Sequence, residues 1–209
     1  LFYIHIDTLI ANKANSNSNS SEPTEPWFSF EFFPPKTEKG IISLKKVIGI
    51  LKQYNPLFVD FTWGAGGTTS DLTFDLCRQV KEEFDLVANM HLTCTNMDVE
   101  KIDKALADCH SVGLRNILAL RGDPPIGQDK WTAADATLNC ADDLTKYIRT
   151  KYGDYFTIAV AGYPEGHPAA MTELYPVPME LESELTPSEL TRYSNDNKVI
   201  IPGVVGTET

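Results

Sequence analysis

Positive charge is scarce in this chain: 18 Lys and Arg stand against 29 Asp and Glu among 209 residues, a formal net charge of −11. A protein that grips a phosphate backbone needs the opposite balance, so nucleic acid is excluded as a partner. The deficit is uneven, with −2 carried by Leu1 to Pro26, −5 by Ala169 to Thr209 and −4 by the 142 residues between. Long apolar runs are missing as well. No stretch reaches the roughly eighteen apolar residues that a membrane-crossing helix requires, and no membrane partner is expected. Cysteine is sparse: Cys77, Cys94, Cys109 and Cys140 contain no CxxC pair, which speaks against a disulfide framework and for reduced thiols in the cytoplasm. His91 and Cys94 form an H-x2-C pair with no second pair of soft ligands, so no metal site is expected. Neither the Walker spacing nor the dinucleotide fingerprint occurs.

What the chain does have is a repeated alternation of two patterns. Five apolar, β-prone runs occur, Ser29 to Phe33, Leu57 to Trp63, Val87 to Cys94, Asn116 to Gly122 and Thr157 to Pro164, mostly about thirty residues from one start to the next, as βα units require. Between them, apolar residues return every three or four positions, the spacing that gives a helix one buried stripe. Ile41, Leu44, Ile48 and Leu51 mark the first such segment. Leu72, Leu76, Val80 and Phe84 mark the second, with Ser70 as its expected cap, and Val99, Ile102, Leu106 and Cys109 the third, between a cap at Asp98 and a terminator at Gly113. Ala141, Leu144 and Ile148 mark the fourth, ended by Gly153. The pattern predicts an α/β fold with parallel strands in a barrel-like arrangement, five βα units being visible.

Three regions follow. Residues 1–26 pass into Asn-Ser alternation that burial cannot order, and are read as a disordered leader; the chain opens without Met and is read as starting part-way through a gene. Residues 27–168 are read as a partial barrel, and residues 169–209 as an irregular acidic tail broken by Pro176, Pro178 and Pro187. Within that tail Thr186 and Glu189 can open a short helix, and Val199 to Ile201 can form a strand.

Each run carries a chemical group near its end: Glu31, Thr62, His91, Arg121 with Asp123, and Tyr163. In a parallel barrel those ends converge on one mouth, where active sites lie. Alternation puts Ser29, Glu31 and Phe33 on one face, so a Glu31 facing inward among aromatic bulk is desolvated, holds a proton near neutral pH and serves as a general acid; otherwise it points to solvent or to Lys36. The same alternation pairs Asp60 with Thr62, Asn89 with His91, and Ala119 with Arg121 and Asp123, small or polar inward groups that leave room for a ligand. Gly64 to Gly67 before Thr68, Thr69 and Ser70 either lets backbone amides approach a ligand or is a flexible βα loop. Arg121-Gly122-Asp123 before two prolines either grips a phosphate or a flavin oxygen or braces the barrel rim. Tyr163 and His167 flank another rigid turn.

The segments FSFEFFPPKT, FVDFTWGAGGTTSDLT, MHLTCTNM, ILALRGDPP and KYGDYF through VAGYPEGHP resemble, jointly and in order from Trp27 to Pro168, the methylenetetrahydrofolate reductase family. The resemblance implies an α/β fold of the (βα)8 TIM-barrel type, here with only about five βα units followed by an irregular acidic tail, holding FAD at the C-terminal ends of its strands, with NADH or NADPH as co-substrate. It implies reduction of 5,10-methylenetetrahydrofolate to 5-methyltetrahydrofolate in one-carbon metabolism and methionine supply. It makes Glu31 similar to the family's acid and Asp123 to the aspartate beside the flavin and folate rings. It places Thr62, His91, Arg121, Gly122, Asp123, Ala141, Tyr163 and His167 in the FAD site.

After Pro168 the sequence departs from the family's further βα units. Five strands leave a barrel open at its first and fifth strands, so the isolated chain is expected to be a fragment of poor stability with little turnover. The competing expectation is a non-catalytic paralogue or partner subunit that associates with a full-length reductase or with itself.

Overall fold

In the computed structural model, which describes residues 4–18, 26–64, 69–94, 97–122, 138–162 and 198–201, every one of the five apolar runs contains a strand. The strands are β1 Phe30–Phe32, β2 Val59–Phe61, β3 Ala88–Thr93, β4 Asn116–Leu120 and β5 Thr157–Ala161. A sixth, β6 Lys198–Ile201, follows from the acidic tail. All pair in parallel in the order β1-β2-β3-β4-β5-β6, the sequential winding of a partial (βα) barrel. The strand expected at Val199 to Ile201 is thus present and covers the edge of β5, which corrects the expectation that the fifth strand would be an open edge.

The helices of the barrel are α2 Glu38–Leu51, α3 Ser70–Phe84, α4 Val99–Ser111 and α5 Ala141–Tyr152. Their apolar stripes pack on one face of the sheet: Ile48, Leu76, Val80, Ile102, Leu106, Leu144 and Ile148 join Val59, Phe61, Met90, Leu92, Ile117, Ala119 and Ile158 in one buried cluster. Side chains of this size are worth about 1.5–3 kcal/mol each when fully buried. Ala119 therefore faces the helices, which corrects its placement among inward residues; the register that pairs Leu92 with Ala119 sets the phase of β4 opposite to the expected one.

Residues 1–26 are not a uniformly disordered leader. Helix α1 spans Ile6–Ser18, and its first turn closes the floor of the barrel. Ile6 is fully buried against Phe58 and Ala159, with Trp27, Leu57, Val87 and Leu118 around them. The Ile6 amide donates to Asn116 Oδ1 (2.9 Å), Asn116 Nδ2 donates to the carbonyl of Ile4 (3.1 Å), and His5 Nδ1 lies 2.7 Å from Thr157 Oγ1. Poor helix formers such as Asn and Ser are ordered here because the first turn is anchored by burial and by three polar contacts at the start of β4 and β5.

The other side of the molecule is less covered. Helix α2 is apolar beyond its buried stripe: Ile42, Val47 and Ile50 are exposed, as is Tyr54 in the single 3-10 turn Lys52–Tyr54. Among the described residues β1 has a strand on one side only, so its second edge is open.

Candidate active site

The opposite, concave face of the sheet is polar where a barrel interior is ordinarily filled with Val, Ile and Leu. Register places Glu31, Asp60, Asn89, Asn116 and Thr157 in one hydrogen-bonding row across five strands. The row is diagonal because barrel strands are staggered. It leaves the C-terminal half of the sheet at Glu31 and reaches the floor at Thr157, the first residue of β5. Next to it, towards the mouth, stand Thr62, His91 and Thr93, with Leu118 opposite His91.

Asp60 and His91 are buried on this face, at 5% and 7% exposure, and Asn89 is fully enclosed. Asn89 Nδ2 donates to Asp60 Oδ1 at 2.7 Å, and the same oxygen lies 3.4 Å from His91 Nε2. His91 Nε2, Asn89 Oδ1 and Thr93 Oγ1 are buried without a hydrogen-bond partner. Buried polar atoms are paired as a rule, and three unsatisfied ones at alternate positions of one strand mark a place where a ligand or ordered water completes the bonding.

Thr62 is held from behind by a threonine relay. Thr73 Oγ1 donates to the Thr62 carbonyl (3.0 Å), lies 3.2 Å from Thr69 Oγ1, and Thr69 Oγ1 accepts from the Gly64 amide (2.8 Å). The relay clamps both ends of the glycine-rich turn. It also explains why Thr69, not the expected Ser70, occupies the cap position of α3, and why its hydroxyl makes no capping bond. The Thr62 amide in turn donates to the Phe32 carbonyl (3.0 Å), which ties the end of β2 to that of β1 beside Glu31.

At the end of β4 the Arg121-Gly122 corner is tied to β3, where the Cys94 amide donates to the Leu120 carbonyl (3.2 Å) and the Cys94 thiol points to the Arg121 carbonyl (3.7 Å). Gly122 has φ 90°, a conformation that a side chain resists, so the glycine between cation and anion is demanded by the backbone. Burial pushes the Cys94 thiol up to about 11, which makes it a packing group and not a nucleophile. Cys77 and Cys109 are buried and raised in the same way, again chiefly by desolvation.

Against this geometry the sequence matches one known family over residues 17–184, that described as Methylenetetrahydrofolate reductase. The chain belongs to the methylenetetrahydrofolate reductase family. It is 53% identical to Methylenetetrahydrofolate reductase (NADH) 1 of Arabidopsis thaliana over 148 residues, 71% of this chain and 25% of that protein. It is 52% identical to Methylenetetrahydrofolate reductase 1 of Schizosaccharomyces pombe over 141 residues, 67% of this chain and 23% of the relative. To the Probable methylenetetrahydrofolate reductase (NADPH) of Caenorhabditis elegans it is 33% identical over 151 residues, 70% of this chain and 22% of the relative. The chain thus spans about a quarter of the length of the curated relatives it matches.

In this member of the reductase family, the described site residues fall in two groups. Glu31, Thr62 and His91 are brought together on the concave face by β1, β2 and β3, while Arg121 and Gly122 lie beyond the end of β4. Ala141 opens α5 directly after the exposed Cys140. Asp123, Tyr163 and His167 lie outside the described residues. Among the described residues no aromatic enclosure forms around Glu31: Glu31 is half-buried, Phe33 on its face is 74% exposed, and Phe30 and Phe32 pack against the helix-side cluster. Its neighbour in register is another acid, Asp60. No contact to Lys36 forms either. Alternation put Asp60 and Asn89 on the inward face as room for a ligand but did not show that they bond to each other, and Thr93, two places beyond His91 in the same strand, carried the same signal unused.

Proposed function

We propose that this chain supplies the proton donor and part of the flavin cradle for reduction of 5,10-methylenetetrahydrofolate to 5-methyltetrahydrofolate by a reduced nicotinamide. The observation that carries this reading is the concave face itself, where Glu31 is followed across the strands by Asp60, Thr62 and His91 in segments that match the reductase family.

The residues present suit a flavin. Thr93 Oγ1, a donor or acceptor, and Asn89 Oδ1, an acceptor, are buried in want of a partner, and the edge of an isoalloxazine offers both kinds of group. Thr62, His91, Arg121, Gly122 and Ala141 would hold FAD, together with Asp123, Tyr163 and His167. The chemistry that a flavin held there would supply is hydride transfer from nicotinamide to the folate. Glu31 acts on the folate alone. It gives a proton to one nitrogen of the five-membered ring, the bond from that nitrogen to the bridging carbon breaks with its electron pair going to nitrogen, and an iminium remains on the other side. Hydride supplied at the iminium carbon would complete the methyl group. A fixed negative charge at Asp123 would favour the cationic iminium over the neutral ring.

The test is colour. The chain reconstituted with FAD should be yellow, should be bleached by NADH or NADPH and should recover on addition of methylenetetrahydrofolate. A chain that takes up no FAD defeats the reading. In that case retention on an immobilised full-length reductase would support the second reading, association as a non-catalytic partner, which the open edge of β1 and the exposed apolar side of α2 favour.

A further inference from the structure

Asp60 is a carboxylate at 5% exposure on the concave face of the sheet, and an ionised group in such a place requires donors. One is Asn89 Nδ2 at 2.7 Å. A second, among the described residues, is His91, whose Nε2 lies 3.4 Å from the same oxygen and makes no hydrogen bond elsewhere. The two unmet needs face each other. If the imidazole carried its proton on Nδ1 alone, the lone pair of Nε2 would be held against a carboxylate oxygen in a buried site, an arrangement with no compensating contact between the two. With the proton on Nε2, a small rotation of the ring closes a charge-assisted hydrogen bond.

We propose that Asp60, itself fixed by Asn89, is the positioning residue of the flavin site: it holds the proton of His91 on Nε2 and sets the plane of the imidazole at the mouth of the barrel. The ligand in this inference rests on the flavin reading above; the proton position does not. Catalytic sites use the same device wherever a carboxylate orients a histidine through one ring nitrogen so that the other meets the substrate or cofactor in a defined state. The arrangement also accounts for polar residues at positions 60 and 89, where apolar side chains would pack the barrel. Replacing either partner should leave the other buried and unpaired.

The experiment uses the intact 209-residue chain with histidine labelled in the ring nitrogens, without flavin and then with FAD. In the flavin-free wild type, His91 should show a protonated Nε2. Asp60→Ala should abolish that preference, and Asp60→Asn, which keeps an acceptor oxygen, should restore it in part. FAD affinity, read from quenching of flavin fluorescence, should fall for Asp60→Ala by roughly tenfold to a hundredfold, the range that outer partners command in metal sites, with recovery in Asp60→Asn. A His91 ring protonated only on Nδ1 in the wild type overturns the proposal whether or not the variants fold. So does an unchanged ring state and unchanged FAD affinity in a folded Asp60→Ala. Should the wild type take up no FAD, the flavin reading falls while the ring-nitrogen signals still decide the Asp60 and His91 pairing.

Discussion

Glu31 and Asp60 are register partners on adjacent parallel strands, so two acidic residues stand side by side on the concave face, their backbones at the spacing of neighbouring strands, about 4.8 Å. They are not equivalent. Asp60 is buried and accepts a hydrogen bond from Asn89, whereas Glu31 is half-buried and, among the described residues, has neither a hydrogen bond nor an ion pair. One carboxylate is built into the wall and the other is left to exchange a proton with whatever enters.

That difference separates their substitutions. Glu31→Gln removes an exchangeable proton while preserving shape, so the folate half-reaction should slow by about a hundredfold to ten-thousandfold, the usual contribution of a general acid. Bleaching of the flavin by nicotinamide should persist. Stopped-flow measurement of the two half-reactions separates them, and an equal loss in both would assign Glu31 to cofactor binding instead.

Helix α1 gives a second test, because a disordered leader and a barrel floor respond oppositely to truncation of one side chain. Ile6 is fully buried against Phe58 and Ala159. Ile6→Ala should therefore destabilise the chain by about 2–5 kcal/mol, the range for emptying a buried aliphatic site. A urea midpoint that does not move would show that the N-terminal turn is not part of the folded unit.

The local elements could be read from the sequence because their signals are local. Ile41, Leu44, Ile48 and Leu51 mark α2 without help from the rest of the chain, and Gly113 takes the left-handed conformation expected of a terminator, φ 69°. Phase and partnership could not be read that way. Which face Ala119 occupies is fixed by its pairing with Leu92, and the contact of Asn89 with Asp60 joins residues 29 positions apart. Composition also misled at α1, since the Asn-Ser alternation comes after the turn that docks and carries no information about it. Alternation separates Glu31 from Phe30 and Phe32, but it does not show that Phe33, on the same face as Glu31, turns out to solvent instead of enclosing it.

Gly122 ties function to backbone shape. Its φ of 90° lies where an L side chain is strained, so Gly122→Ala should cost about 1–3 kcal/mol or force the corner to rearrange. Either outcome displaces Arg121 relative to β3, because the Arg121 carbonyl faces the Cys94 thiol. FAD affinity should drop with no change in the ring state of His91, which distinguishes damage at this corner from damage at Asp60.

The cysteines supply a pH-dependent reading of the same packing. Cys140 is exposed, while Cys77, Cys94 and Cys109 are buried. Burial raises Cys94 from 9.0 to about 11, so at pH 8 roughly one native Cys94 in a thousand is thiolate, and iodoacetamide should modify Cys140 alone within minutes. The sign for stability follows. A raised thiol value favours the neutral native form, so its contribution is intact below the unfolded value of 9.0 and is lost as pH climbs through about 11. Cys77 and Cys109 push in the same direction. Urea midpoints should decline across that interval, and replacing Cys94 by Ala should make the decline shallower while leaving a smaller residue in the wall between β3 and the Arg121-Gly122 corner. Rapid alkylation of Cys94 at pH 8 in the folded chain would mean that this corner is open to solvent, and the flavin cradle argued from it would then lack a fixed wall on the β4 side.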